Sequence, residues 1–148
     1  MTELVQIVTA ALGTLGFGIL FNVRGKKLAA VTAAGGISWA LFIALCALGA
    51  SEVTAYLICA IAVSVFAEVM ARVLKSPATV FITPSLIPFI PGSSLYYSLA
   101  YAFSKDYVHF AEKALSTLSL ASALAIGVIS ASAITSLVLK LVKRRNEN

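Results

Sequence analysis

Apolar residues in this chain come in long continuous runs, without the alternation that marks an element with one face in water. Four such runs lie between clusters of charge: Leu4–Val23, Leu28–Leu48, Val53–Ala71 and Ala114–Leu139. Each is close to the ~20 residues that an α-helix needs to cross a ~30 Å hydrocarbon layer. A fifth stretch, Ala78–Phe103, is equally apolar but is interrupted by Pro84, Pro88, Pro91 and Gly92. The pattern predicts an all-α integral membrane protein, a bundle of about five transmembrane helices with the fourth broken by Pro and Gly at mid-membrane. The whole chain, 1–148, reads as one transmembrane domain with a basic cytoplasmic tail at 140–148. No linker, repeat or low-complexity segment divides it.

Composition supports this class. Hydrophobic residues make up 60% of the chain and charged residues 11%, with mean hydropathy +0.99. A soluble domain has about 25% charged residues with which to cover its surface. This chain must set apolar side chains against lipid instead. No Lys or Arg precedes Arg24, and Leu4–Val23 is long enough to span, so the first run is expected to be a retained helix and not a cleaved signal.

The net charge of +5 is explained by the ends of the spans, which removes the case for a nucleic-acid partner. Arg24, Lys26 and Lys27 follow the first span, Arg72 and Lys75 the third, and Lys140, Lys143, Arg144 and Arg145 close the chain. Gly49–Glu52 has no basic residue, and in Ser104–Lys113 the two lysines are offset by Asp106 and Glu112. Basic loops stay in the cytoplasm, so the N-terminus is expected outside and the C-terminus inside. A re-entrant Ala78–Phe103 would put the basic tail outside, so this segment is expected to cross.

Catalytic chemistry finds no foothold. Cys46 and Cys59 sit in separate apolar runs and read as small packing residues. His109 stands among loop charges with no nucleophile beside it, and no metal or cofactor set is present. Small residues recur at every fourth position in Ala10-Thr14-Gly18, Thr32-Gly36-Ala40-Ala44 and Ser119-Ala123-Gly127-Ala131-Thr135. Such stripes let helix backbones approach closely in lipid.

The segment Thr83-Pro-Ser-Leu-Ile-Pro-Phe-Ile-Pro-Gly-Ser-Ser-Leu-Tyr-Tyr97 breaks the helical rules. Proline inside a helix removes a hydrogen bond and clashes with the turn before it, at about 3 kcal/mol or more. Broken backbone survives at membrane depth only where protein or water covers it. Two half-helices of about 18–20 Å are expected, with Pro91 at the start of the second. A half-helix N-terminus offers unpaired N–H groups and partial positive charge, and so favours anions. Pro88, Pro91, Gly92, Ser93, Ser94, Tyr96 and Tyr97 are therefore the candidate binding residues, for a carboxylate. The competing reading is a proline-kinked structural helix with interfacial tyrosines.

Glu68 shares a helical face with Ala60, Ser64 and Arg72. An ionisable residue within a span often marks a proton or substrate path, so Glu68 and Arg72 are candidates for ion coupling. A local i,i+4 ion pair is the plainer reading. Asn22 is a weaker pathway candidate, and equally a helix cap.

Two groups of these residues carry a resemblance. Gly16-Phe-Gly-Ile-Leu-Phe-Asn-Val23, followed by Pro88-Phe-Ile-Pro-Gly-Ser-Ser-Leu-Tyr96, resembles the YjjB-type small subunits of the threonine/serine exporter (ThrE) superfamily. Phe21, Asn22 and Val23 match the motif that ends the first span there, and Pro88, Pro91, Gly92 and Tyr96 match the Pro-x-x-Pro-Gly-x-x-x-Tyr motif. Pro84 departs from that pattern. The resemblance implies a subunit of a secondary transporter in the bacterial inner membrane, exporting small carboxylates, either threonine and serine or succinate-like dicarboxylates. It implies a larger YjjP-type membrane partner, self-association, or both, and no enzymatic activity. The alternative is a non-transporting scaffold that stabilises the larger subunit.

Overall fold

A computed structural model describes residues 2–146, with side chains to residue 138 except at 136. The chain forms helices α1 (Glu3–Leu20), α2 (Lys26–Ala47), α3 (Glu52–Val73), α4 (Thr79–Ser85), α5 (Gly92–Phe103) and α6 (Tyr107–Asn146). A single 3₁₀ turn, Ile87–Phe89, lies between α4 and α5. There is no strand among the described residues. Glu3–Leu20, Lys26–Ala47, Glu52–Val73 and Tyr107–Thr135 are each long and apolar enough to cross a membrane. The protein is an all-α membrane bundle whose remaining segment is broken at its prolines.

Four of the helices end by one device. At the end of α1, the Val23 N–H bonds to the Gly18 carbonyl and the Asn22 N–H to the Ile19 carbonyl, with Asn22 at φ 58°. This pair of hydrogen bonds around a left-handed residue satisfies carbonyls that the helix would otherwise leave bare. Gly49, Lys75 and Lys105 play the part of Asn22 after α2, α3 and α5. α3 begins on Ser51, whose hydroxyl accepts from the Thr54 N–H. These caps hold the connections to a few residues, so successive helices lie side by side.

Small residues set the contacts. Thr14 of α1 lies against Gly35 of α2, where any Cβ would collide with its hydroxyl. Gly18 faces Leu28 and Val31, and Gly36 faces Ala11. A Cβ on Gly127 of α6 would stand 2.6 Å from Ala60 Cβ and 2.9 Å from the Leu57 carbonyl oxygen on α3. In lipid, where burial gives no hydrophobic gain between helices, such backbone proximity supplies the attraction.

α4 fills the space between α1, α2 and α3. Its Phe81 is fully buried with Val23, Val31 and Ala67 at the end of the bundle where α1 and α3 finish. Eight residues on, Phe89 is fully buried with Tyr56, Cys59, Leu120 and Ala123. Trp39, Phe42 and Tyr56 surround the Phe89 ring at centroid distances of 5.5, 6.1 and 5.6 Å. The broken segment thus climbs from the α3 C-terminus toward its N-terminus, and the break is level with the first turns of α3. Beyond it, α5 packs along α6, which returns parallel to α3.

The last helix differs from expectation. The connection read as Ser104–Lys113 is shorter: Ser104 to Asp106 form the turn, and α6 begins at Tyr107. Asp106 is the cause. Its carboxylate accepts the His109 N–H at 3.3 Å and so caps the helix start. His109 therefore lies in the first helical turn, with its ring 2.7 Å from the Asp106 carboxylate and stacked on Tyr101. Around Asp106, these N–H donors hold the carboxyl below its usual range. At 1.5 Å per residue, the 40 residues of α6 extend about 60 Å, twice the hydrocarbon thickness. Its backbone is helical to Asn146, and the side chains of the expected basic tail at 140–148 lie outside the described residues.

Candidate functional site

The break has a defined shape. Pro84, buried in the last turn of α4, has no N–H for the Val80 carbonyl, and the helix ends one residue later. The 3₁₀ turn follows, and Ile90 is extended at ψ 121°. Pro91, at φ −74° and ψ 56°, then makes a three-residue turn closed by the Gly92 N–H on the Ile90 carbonyl at 2.6 Å. Pro91 is therefore the cap of α5 and Gly92 its first residue, one position later than expected. The tight turn also takes the Gly92 N–H, expected to be free. The N–H groups of Ser93 and Ser94 are given no partner by the backbone, and no side chain caps them.

Gly92 and Ser93 are exposed, and Ser94 is half-buried. Tyr96 and Tyr97 follow on the open side of α5, at 68% and 51% exposure, edge to face with each other. Ser98 alone of α5 is buried. The N-terminus of α5 is thus an open donor site with two phenols beside it.

Pro88 belongs to a second feature. With Gln6, Thr9 and Ala10 of α1 and Trp39 of α2, it lines a recess of about 330 Å³. The Trp39 indole N–H donates to Gln6 Oε1 at 3.3 Å. The Thr9 hydroxyl is turned back onto the Val5 and Gln6 carbonyls at 2.8 and 2.9 Å. A larger groove, about 670 Å³, runs between α1 and α2 along Ile7, Leu15, Thr32 and Ala40. Its lining is almost wholly apolar and contains none of the expected site residues.

The model of the threonine/serine exporter family, ThrE, matches residues 6–134. The chain belongs to that family. It is a multi-pass membrane protein of the exporter type. No curated protein and no solved structure matches it.

In this ThrE chain, the remaining candidates lie away from the break. Glu68 pairs with Arg72 at 3.0 Å, and the Arg72 guanidinium also donates to the Glu68 carbonyl at 2.6 Å. The Glu68 side chain is 19% exposed. Ser64, one turn above on the same face, is fully buried, and its hydroxyl has no partner among the described residues. Glu68 adjoins Ala67, which packs with Phe81, whereas Phe89 packs with Tyr56 and Cys59. The nine residues from Cys59 to Glu68 separate the two levels by about 14 Å. Asn22 is exposed at the same end as Glu68 and forms the left-handed cap of α1. That end holds a smaller recess of about 240 Å³, lined by Phe21, Val23, Thr79, Val80, Thr83 and Pro84.

The structure thus separates the expected residues into three places: the α5 start with its tyrosines, the Pro88 recess, and the end of the bundle where α1 and α3 finish, with Asn22, Glu68 and Arg72. Sequence reasoning missed Gln6, Thr9 and Trp39. A signal for Gln6 was available, since it is the one amide side chain inside the first apolar run before Asn22. Its pairing with Trp39, 33 residues away, requires the fold.

Proposed function

We propose that this chain is a subunit of a secondary transporter that exports small carboxylates, with the start of α5 as the substrate's anion site. The observation that supports this reading most is the pair of unpartnered N–H groups at Ser93 and Ser94, released by the Pro91 turn inside an apolar segment. Helix N-termini of this kind favour negative charge, and transporters with broken helices aim them at anionic substrate groups. Tyr96 and Tyr97 stand next to them as hydrogen-bond donors or a gate.

Substrates are threonine and serine, as the family description names, or succinate-like dicarboxylates. The chain works in the bacterial inner membrane, N-terminus outside and C-terminus inside, with a larger YjjP-type subunit or with further copies of itself. The open side of α5 supports the need for such a neighbour, because the site has a wall on the α6 side and none opposite. The Glu68–Arg72 pair, with the unpartnered Ser64 hydroxyl a turn away, supports a role for these residues in ion coupling.

Efflux of labelled threonine and of labelled succinate tests this reading, in cells with and without this chain, each with and without the larger subunit. Faster efflux of one substrate when both chains are present is expected. Unchanged efflux of both substrates rejects it. Assembly of the larger subunit without any change in flux through assembled complexes would favour the scaffold reading.

A further inference from the structure

Indole nitrogen only donates hydrogen bonds, so the Gln6 amide atom that faces Trp39 Nε1 must be the oxygen. This fixes the orientation of the amide. Its NH₂ group is turned away from Trp39 and has no hydrogen-bond partner among the described residues. Gln6 is half-buried in the wall of the recess beside Pro88, which holds no charged side chain. The hydroxyl there, on Thr9, spends its proton on the α1 backbone and can only accept. The recess is therefore lined by an amide with two unpartnered N–H donors, an indole, and the apolar surfaces of Ala10 and Pro88. Its volume of about 330 Å³ falls at the lower end of small-molecule sites.

We propose that the Gln6 amide, held by Trp39, donates to the carboxylate of the transported substrate in the recess beside Pro88. The inference rests on the carboxylate-export reading and adds a second recognition point to it, on α1, across from the break. A neutral donor suits a transported anion: it orients the carboxylate without the long-lived charge pair that would hold the substrate in place.

Trp39 is the only tryptophan of the chain, so its fluorescence reports the recess directly. The purified full chain in lipid nanodiscs is titrated with threonine, with succinate and with threonine amide. A saturable change with one of the two carboxylates, and none with the amide, is expected. The decisive variant is Gln6→Glu, which keeps an acceptor for Trp39 but replaces the donors with negative charge. It should weaken carboxylate binding at least about tenfold, since hydrogen bonds to charged groups are among the stronger ones, while helicity and the unliganded Trp39 emission stay as in the parent. Gln6→Leu should weaken binding similarly. Equal binding by the parent and Gln6→Glu would overturn the proposal, as would efflux in cells with no Trp39 response to either carboxylate. In that second case the export reading stands and only the Gln6 site falls. A Trp39 response without efflux would leave a carboxylate site and remove the export reading.

Discussion

The two halves of the broken span meet opposite environments. α4 and the turn after it are enclosed by three helices, with Phe81, Pro84, Ser85 and Phe89 all fully buried. α5 packs along α6, buries Ser98 alone, and leaves Tyr96 at 68% and Phe103 at 87% exposure. The prolines therefore do two things. On one side they bend the chain so that bulky rings reach the bundle core. On the other they start a short helix whose donors and aromatic side chains are left for something else to meet. Protein cover satisfies the requirement that broken backbone be shielded from lipid on the α4 side. On the α5 side the described residues beyond α6 supply little such cover.

The sharpest way to break this contrast is a matched pair of phenylalanines. Phe89→Ala removes a ring packed against three others, and should destabilise the bundle by about 3 kcal/mol or more. Phe103→Ala, at 87% exposure, should change the stability of the isolated chain by less than about 0.5 kcal/mol. Unfolding in mixed micelles compares them. Similar losses would mean that α5 is as much a part of the core as α4.

A smaller effect is expected at the end of α1, beside α4. Asn22 holds φ 58°, a conformation that costs most L-residues about 1–2 kcal/mol. Asn22→Ala should lower the melting temperature, and Asn22→Gly should restore it. If Asn22→Gly folds normally but loses efflux, the asparagine side chain belongs to the pathway as well as to the cap.

The smallest effect belongs to the turn between α5 and α6. The Asp106 carboxyl is lowered from 3.8 by the N–H and ring of His109. A lowered folded-state value means that its stabilisation is complete above the unfolded value and is lost as pH falls through the folded one. The turn should therefore hold at neutral pH and loosen only below about 4. Titration of the carboxyl carbon by NMR checks this, and a midpoint at or above 3.8 would contradict it.

Much of the fold was legible because lipid imposes simple rules. Long apolar runs must become helices, and Pro91-Gly92 could not continue one. The α6 stripe likewise marked its contact, with Ala123, Gly127 and Ala131 buried. The start of α6 was misjudged because Asp106, Glu112 and Lys113 suggest a loop by charge, whereas Asp106 is there as a cap. The site was only partly legible. Pro88, Pro91 and the serines stand out by type, but the loss of the Gly92 N–H depends on the ψ of Pro91. Gln6 and Trp39 come together only when α1 packs on α2.

Ser93→Asp tests the central claim most directly. An acidic residue in the first turn of a helix favours helix formation, so α5 should be at least as stable as in the parent, while the added carboxylate occupies the donors meant for substrate. At equal abundance in the membrane, together with the larger subunit, efflux of the exported carboxylate should fall at least tenfold. Undiminished efflux from Ser93→Asp would show that substrate does not meet the start of α5.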